Sequence, residues 1–263
     1  MTTSNCLLVL AVALAAALPL GASGAAGAGA SDRPSAIDRP SADEQTGRNE
    51  QTGPATEPTG TPITARITDA EKRLFMTDHL AGISDARVLA YRFERRGILE
   101  PEARDSATLT LAVANGKRVT TVDYLHEERR IELPAIVDVQ GNPILLHFLE
   151  REIRELSRLT GGSRNYYRKR IRMALASDPP VTEVAIDQRG RSLRGYRIRI
   201  DPYLDDPARS RYEKFATRFY TLVLSPDIPG EVYELRAELL EPARPGTAAA
   251  IVQSEVLTFE GER

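Results

Sequence analysis

From residue 63 onward the chain alternates apolar and polar side chains in short runs, the period of half-buried strands. In 87–95, Leu89, Tyr91 and Phe93 alternate with Ala90, Arg92 and Glu94. Leu109, Leu111 and Val113 alternate next with Thr108, Thr110 and Ala112. Asn115-Gly116 follows, and both positions tolerate positive φ, so a two-residue hairpin turn is predicted there. That turn pairs Leu109 with Val122 and Leu111 with Thr120, and it puts Val122 and Tyr124 on the apolar face. Residues 130–139 read as a fourth strand.

Ahead of these strands, Thr68 or Asp69 can cap a short helix with Leu74, Phe75 and Leu80 on its apolar side. Two longer helices interrupt the strands midway. Asn142 can cap the first and Pro143 suits its opening turn. Its apolar side is Leu145, Phe148, Leu149, Ile153, Leu156 and Leu159, with Glu150/Arg154 and Arg151/Glu155 as ion pairs opposite. Gly161-Gly162 ends it, Ser163 caps the second helix, and Pro179-Pro180 stops that one.

Strands resume over 181–188 and 191–200 around Arg189-Gly190. Leu193 is out of phase with Tyr196, Ile198 and Ile200, which predicts a β-bulge at Gly195. Further strands are expected at 219–225, 231–240 and within 249–259, with Tyr233, Leu235, Ala237 and Leu239 as one apolar row. Hairpin-linked strands without strict βαβ alternation give an α+β fold. The expectation is a curled antiparallel β-sheet of about nine strands, half-barrel-like, with the two helices on its concave side. Such an outline resembles the periplasmic lipoprotein-carrier type of half-barrel, and no residue is carried over from that type.

The first 62 residues have a different character. Residues 1–30 hold no Asp, Glu, Lys or Arg, and Leu7 to Leu18 is unbroken apolar sequence, short for a membrane span of about 20 residues. Small residues and Ala-x-Ala patterns follow, so the expectation is a cleaved signal peptide, with a retained anchor as the alternative. Residues 31–62 repeat DRPSA and EQTG and hold Ile37 as their single large apolar residue, the composition of a disordered linker. Residues 63–263 are then expected to form one α+β domain. The protein is expected to be periplasmic or secreted, with no spanning helix once the signal is removed.

Charge and chemistry narrow the function classes. The formal net charge is -2, which argues against a nucleic-acid binder with a strongly basic domain. One Cys, Cys6, excludes an internal disulfide and a cysteine zinc cluster. His79, His126 and His147 lie on three separate elements, and no cofactor or metal is predicted. Asp201, Asp205 and Asp206 could hold calcium or simply build a turn. No nucleophile motif singles out an enzyme, although a hydrolase with a dispersed site stays an alternative.

The unusual feature is the second helix. Arg164, Arg168 and Arg172 stack on one side, with Lys169 and Arg170 beside them and no acid between. Either Glu150, Glu152 and Glu155 of the preceding helix oppose them, or an external anion does. Tyr166 and Tyr167 add aromatic surface suited to a contact. The functional expectation is non-enzymatic binding of an apolar or amphiphilic ligand, a lipid among them. Leu89, Tyr91, Phe93, Tyr233, Leu235 and Leu239 would line its site, and the basic helix would meet its anionic end. The alternative is a structural or interaction module contacting an envelope protein.

Overall fold

The computed structural model describes residues 66–83, 85–241 and 250–263, so the segments read as signal and linker lie outside the described residues. Nine antiparallel strands form one open sheet. They are β1 (Arg87–Gly97), β2 (Ala103–Ala114), β3 (Lys117–Tyr124), β4 (Ile136–Val137), β5 (Val181–Gln188), β6 (Arg191–Ile200), β7 (Arg218–Leu224), β8 (Val232–Leu240) and β9 (Ile251–Glu262). Their order across the sheet is β4-β3-β2-β1-β9-β8-β7-β6-β5. Each half is a run of sequence neighbours, and β9 enters between β1 and β8 to join them.

The β2–β3 register follows from its turn. Asn115 and Gly116 have φ of 53° and 72°, and Leu109 pairs with Val122 and Leu111 with Thr120. Gly116→Val places a β-branched side chain in the left-handed region, at a cost of about 1–2 kcal/mol. We expect the urea midpoint to fall accordingly, and an unchanged midpoint would show that the turn does not constrain this hairpin.

Thr68 opens α1 (Asp69–Glu71) through a capping box: its Oγ1 accepts the Glu71 N–H at 3.1 Å, and the Glu71 carboxylate accepts the Thr68 N–H at 2.9 Å. The chain then widens into a π-helical turn, Lys72–Met76, and Leu80 is buried beyond its end. The long helices are α2 (Ile144–Thr160) and α3 (Arg164–Ala176). Asn142 Oδ1 accepts the Ile144 N–H at 3.0 Å, and Gly161 closes α2 at φ 71°. Ser163 precedes α3 as read, but its carbonyl, not its hydroxyl, takes the first N–H groups.

The inner face of the sheet carries a row set by register: Phe93, Leu257, Leu235, Leu222 and Ile198 on five adjacent strands. All five are buried, and each such side chain stabilises the fold by about 1.5–3 kcal/mol. Helix α2 covers this face, with Phe148 edge-on to Tyr220 at 6.4 Å.

Two stretches depart from the pattern their sequence predicts. The stretch 130–139 forms one bridge, Tyr124 to Ile131, and the two-residue β4. Pro134 supplies no N–H, and Asp138 sits at φ 53°, so a longer ladder cannot continue. At Gly195 the β5–β6 register runs through without a shift. The phase slip arises because Leu193 packs with its partner Ile186 on the opposite face from Ile198 and Ile200. Gly195 is small because a Cβ there would collide with Ile186 Cδ1.

Candidate functional site

The cations of α3 divide into two sets. Arg168 Nη2 donates to Glu150 Oε2 at 2.9 Å, and Arg170 Nε reaches Pro202 O at 3.0 Å and Asp206 at 3.1 Å. Arg164, Lys169 and Arg172 are exposed and make no hydrogen bond or ion pair among the described residues. Of the three acids expected to oppose the helix, only Glu150 does so. Glu152 turns into the interior, and Glu155 pairs with Arg158. Met173 adds exposed apolar surface, 49% accessible, beside the free cations.

The two tyrosines face inward. Tyr167 is buried and shares its hydroxyl hydrogen bond with Thr160 at 2.6 Å. Tyr166 is half-buried and donates to Asp206, as does Tyr212. Tyr166, Tyr167, Tyr203, Tyr212 and Tyr220 form one edge-to-face cluster with centroids 5.7–6.5 Å apart. Burial pushes the Asp206 carboxyl up, but the hydrogen bonds from Tyr166 and Tyr212 outweigh it and hold the group below its ordinary range. Asp201 pairs with Arg199 at 2.9 Å and Asp205 is exposed, so the aspartate loop splits three ways. Among the described residues no group of three metal-ligating side chains occurs.

The apolar rows lie under α2. Leu89, Tyr91, Phe93, Leu235 and Leu239 are at most 1% exposed, which leaves them no surface on an open cavity. Tyr233 departs from its row. The β7–β8 register shifts beside it, and its hydroxyl donates to Asp187 O at 3.1 Å.

Beside these rows the interior holds four charges. Arg151 reaches Glu255 with both terminal nitrogens and Glu152 at 2.9 Å, and Arg218 reaches Glu152 at 2.5 Å and Glu255 at 3.6 Å. Burial pushes Glu152 up to about 7, whereas the facing guanidinium groups overcome burial at Glu255 and hold it at about 2. The expected Arg151/Glu155 surface pair gives way to this quartet. A signal for it was present: Glu152 falls within the apolar stripe, one turn from both Phe148 and Leu156.

The histidines stay apart. His79 Nε2–H donates to Arg73 O at 2.7 Å, and its Nδ1 accepts the Asn142 N–H at 3.0 Å. His147 donates from Nδ1 to Pro143 O at 3.0 Å, and its buried Nε2 has no partner. His126 is exposed and bonds to Asp105 at 2.5 Å.

A cleft of about 430 Å³ opens between the π-helical turn and strands β5 and β6, lined by Asp69, Lys72, Arg73, Val181, Glu183 and Tyr196. None of these residues was singled out as a binding residue by the sequence pattern.

No protein-family model matches the chain, and no curated protein matches it. Among solved structures, that of the Mycobacterium tuberculosis lipoprotein LppX aligns over 69% of this chain and 87% of that one, with 14% identity and a TM-score of 0.29. Among the described residues no helix is long and apolar enough to cross a membrane.

Proposed function

We propose that this is an exported envelope protein that binds an anionic amphiphile without catalysis, at the outward face of α3. The observation that carries the reading is the split among its cations. Arg164, Lys169 and Arg172 stay in water and unpaired, although neighbouring cations on the same helix are tied to carboxylates. Unopposed like charges on one helix repel, so an external anion would relieve a standing cost. Exposed Met173 supplies apolar contact beside them.

An acyl chain would reach the Leu89, Tyr91, Phe93, Leu235 and Leu239 rows only by lifting α2, which the buried quartet opposes. Binding at the headgroup level is therefore favoured over internalisation. The same locked interior is the one feature that favours the second reading, an interaction module for an acidic envelope protein.

The test is Arg164→Gln, Lys169→Gln and Arg172→Gln together, with co-sedimentation on phosphatidylglycerol vesicles at low and high salt. Each cation near an anionic surface is worth about 1 kcal/mol, so the affinity should fall on the order of 100-fold with melting unchanged or raised. Arg168→Gln alone should instead lower the melting point, because it leaves Glu150 with Arg154 as its one remaining ion-pair partner. If the unmodified protein does not sediment with these vesicles, the lipid reading is wrong.

A further inference from the structure

We propose that the cleft beside β5 binds a small zwitterion, its carboxylate on Arg73 and its ammonium on Glu183. This site is independent of the α3 surface. The inference rests on how Arg73 is held. Its guanidinium lies 3.7 Å from the ring centroid of Tyr196, and its N–H groups make no hydrogen bond or ion pair among the described residues. A planar fork stacked on an aromatic ring with unused donors is prepared for bidentate contact with a carboxylate.

The backbone beneath it is pinned as well. Lys72–Met76 is a π-helical turn, a widening frequently found at functional sites. Its loosened carbonyls are met by side chains: Thr77 Oγ1 donates to Lys72 O at 3.1 Å and His79 Nε2 to Arg73 O at 2.7 Å. His79 is in turn fixed by the Asn142 N–H, so the position of Arg73 is set from the core.

Glu183 stands directly opposite Tyr196 in the β5–β6 register and has no hydrogen bond or ion pair among the described residues. At the mouth, Asp69 and Lys72 satisfy each other at 2.9 Å. Among the residues lining the cleft the free groups are therefore one guanidinium and one carboxylate; the Arg194 guanidinium, 5.7 Å from the Tyr196 ring, lies outside that lining. That balance selects a neutral molecule with both charges over a dianion or a dication. The alkyl part of such a molecule would lie on Val181 and the Tyr196 ring. A free amino acid and a peptide with free termini share this chemistry.

Ligand-observed NMR titrations on the full chain would use L-leucine, glycylglycine, acetate and methylammonium. Binding of either zwitterion, tighter than acetate or methylammonium, is expected, and comparison of leucine with glycylglycine separates the two sources. Arg73→Gln should weaken zwitterion and acetate binding about tenfold or more, since hydrogen bonds to charged groups are the stronger class. Glu183→Gln should bring the zwitterion down to the level of acetate and leave acetate unchanged. Glu183 is exposed, so this second variant keeps its fold even if the first does not. The proposal is overturned if neither zwitterion binds, or if Glu183→Gln weakens acetate and zwitterion equally.

Discussion

Arg218→Met is expected to cost the fold about 3–5 kcal/mol, because it takes from the buried Glu152 carboxylate the guanidinium that holds it with two nitrogens. Arg218 and Glu152 are 4% and 0% exposed, so water cannot replace the lost contact. Glu152 would keep one ion-pair partner, Arg151, which it shares with Glu255. Removing both members of the pair should be much milder. In Arg218→Met with Glu152→Leu, the bidentate Arg151–Glu255 pair remains neutral and whole, and the new side chains add apolar contact. Urea denaturation of the two variants decides the matter. A double variant as unstable as the single one would mean that the four groups do not act as two neutral pairs.

The second expected result concerns acid. Burial holds His147 at about 4, against an ordinary value of 6.5, despite the hydrogen bond to Pro143 O. As pH falls from 6.5 to about 4, the unfolded chain takes up a proton at this position and the folded chain does not. Stability present above pH 6.5 is lost across that window, at about 1.4 kcal/mol per pH unit and about 3 kcal/mol in all. Glu152 acts with the opposite sign. Burial raises its pKa, so the folded state takes up the proton first and stability is gained as pH falls. The two slopes offset each other in the unmodified protein. His147→Gln removes one of them, so its stability relative to the unmodified protein should rise by about 3 kcal/mol between pH 6.5 and 4. Parallel profiles for the two proteins would contradict a buried neutral imidazole.

What the sequence disclosed was mostly local. Asn115-Gly116 specifies a turn by backbone sterics, and the β2–β3 register follows without knowledge of the rest of the fold. The α2 stripe and its glycine stop are equally self-contained. By contrast, the place of β9 beside β1 depends on contacts across more than half the described chain, and no nearby residue encodes it. The short reach of β4 is legible in Pro134, whose missing N–H breaks the ladder. At the candidate site, the excess of arginine on α3 was legible and its partition was not. Whether Arg168 or Arg172 finds a carboxylate depends on where α2 lies. The quartet was hidden because a charge within an apolar stripe reads as an irregular surface position until its partners on β7 and β9 are placed beside it.

The position of β9 also governs when the molecule can finish folding. Strands β1 to β4 and β5 to β8 can each pair with sequence neighbours as they are synthesised. The seam between the two half-sheets is β9, the last of the nine described strands in chain order, and it also carries Glu255, the acid shared by Arg151 and Arg218. A chain stalled on the ribosome before residue 251 therefore has two half-sheets, each with an unpaired central edge, and two interior arginines facing a single carboxylate. Pairings at such long sequence separation form late. The two half-sheets of a nascent chain thus stay unjoined until β9 has been made.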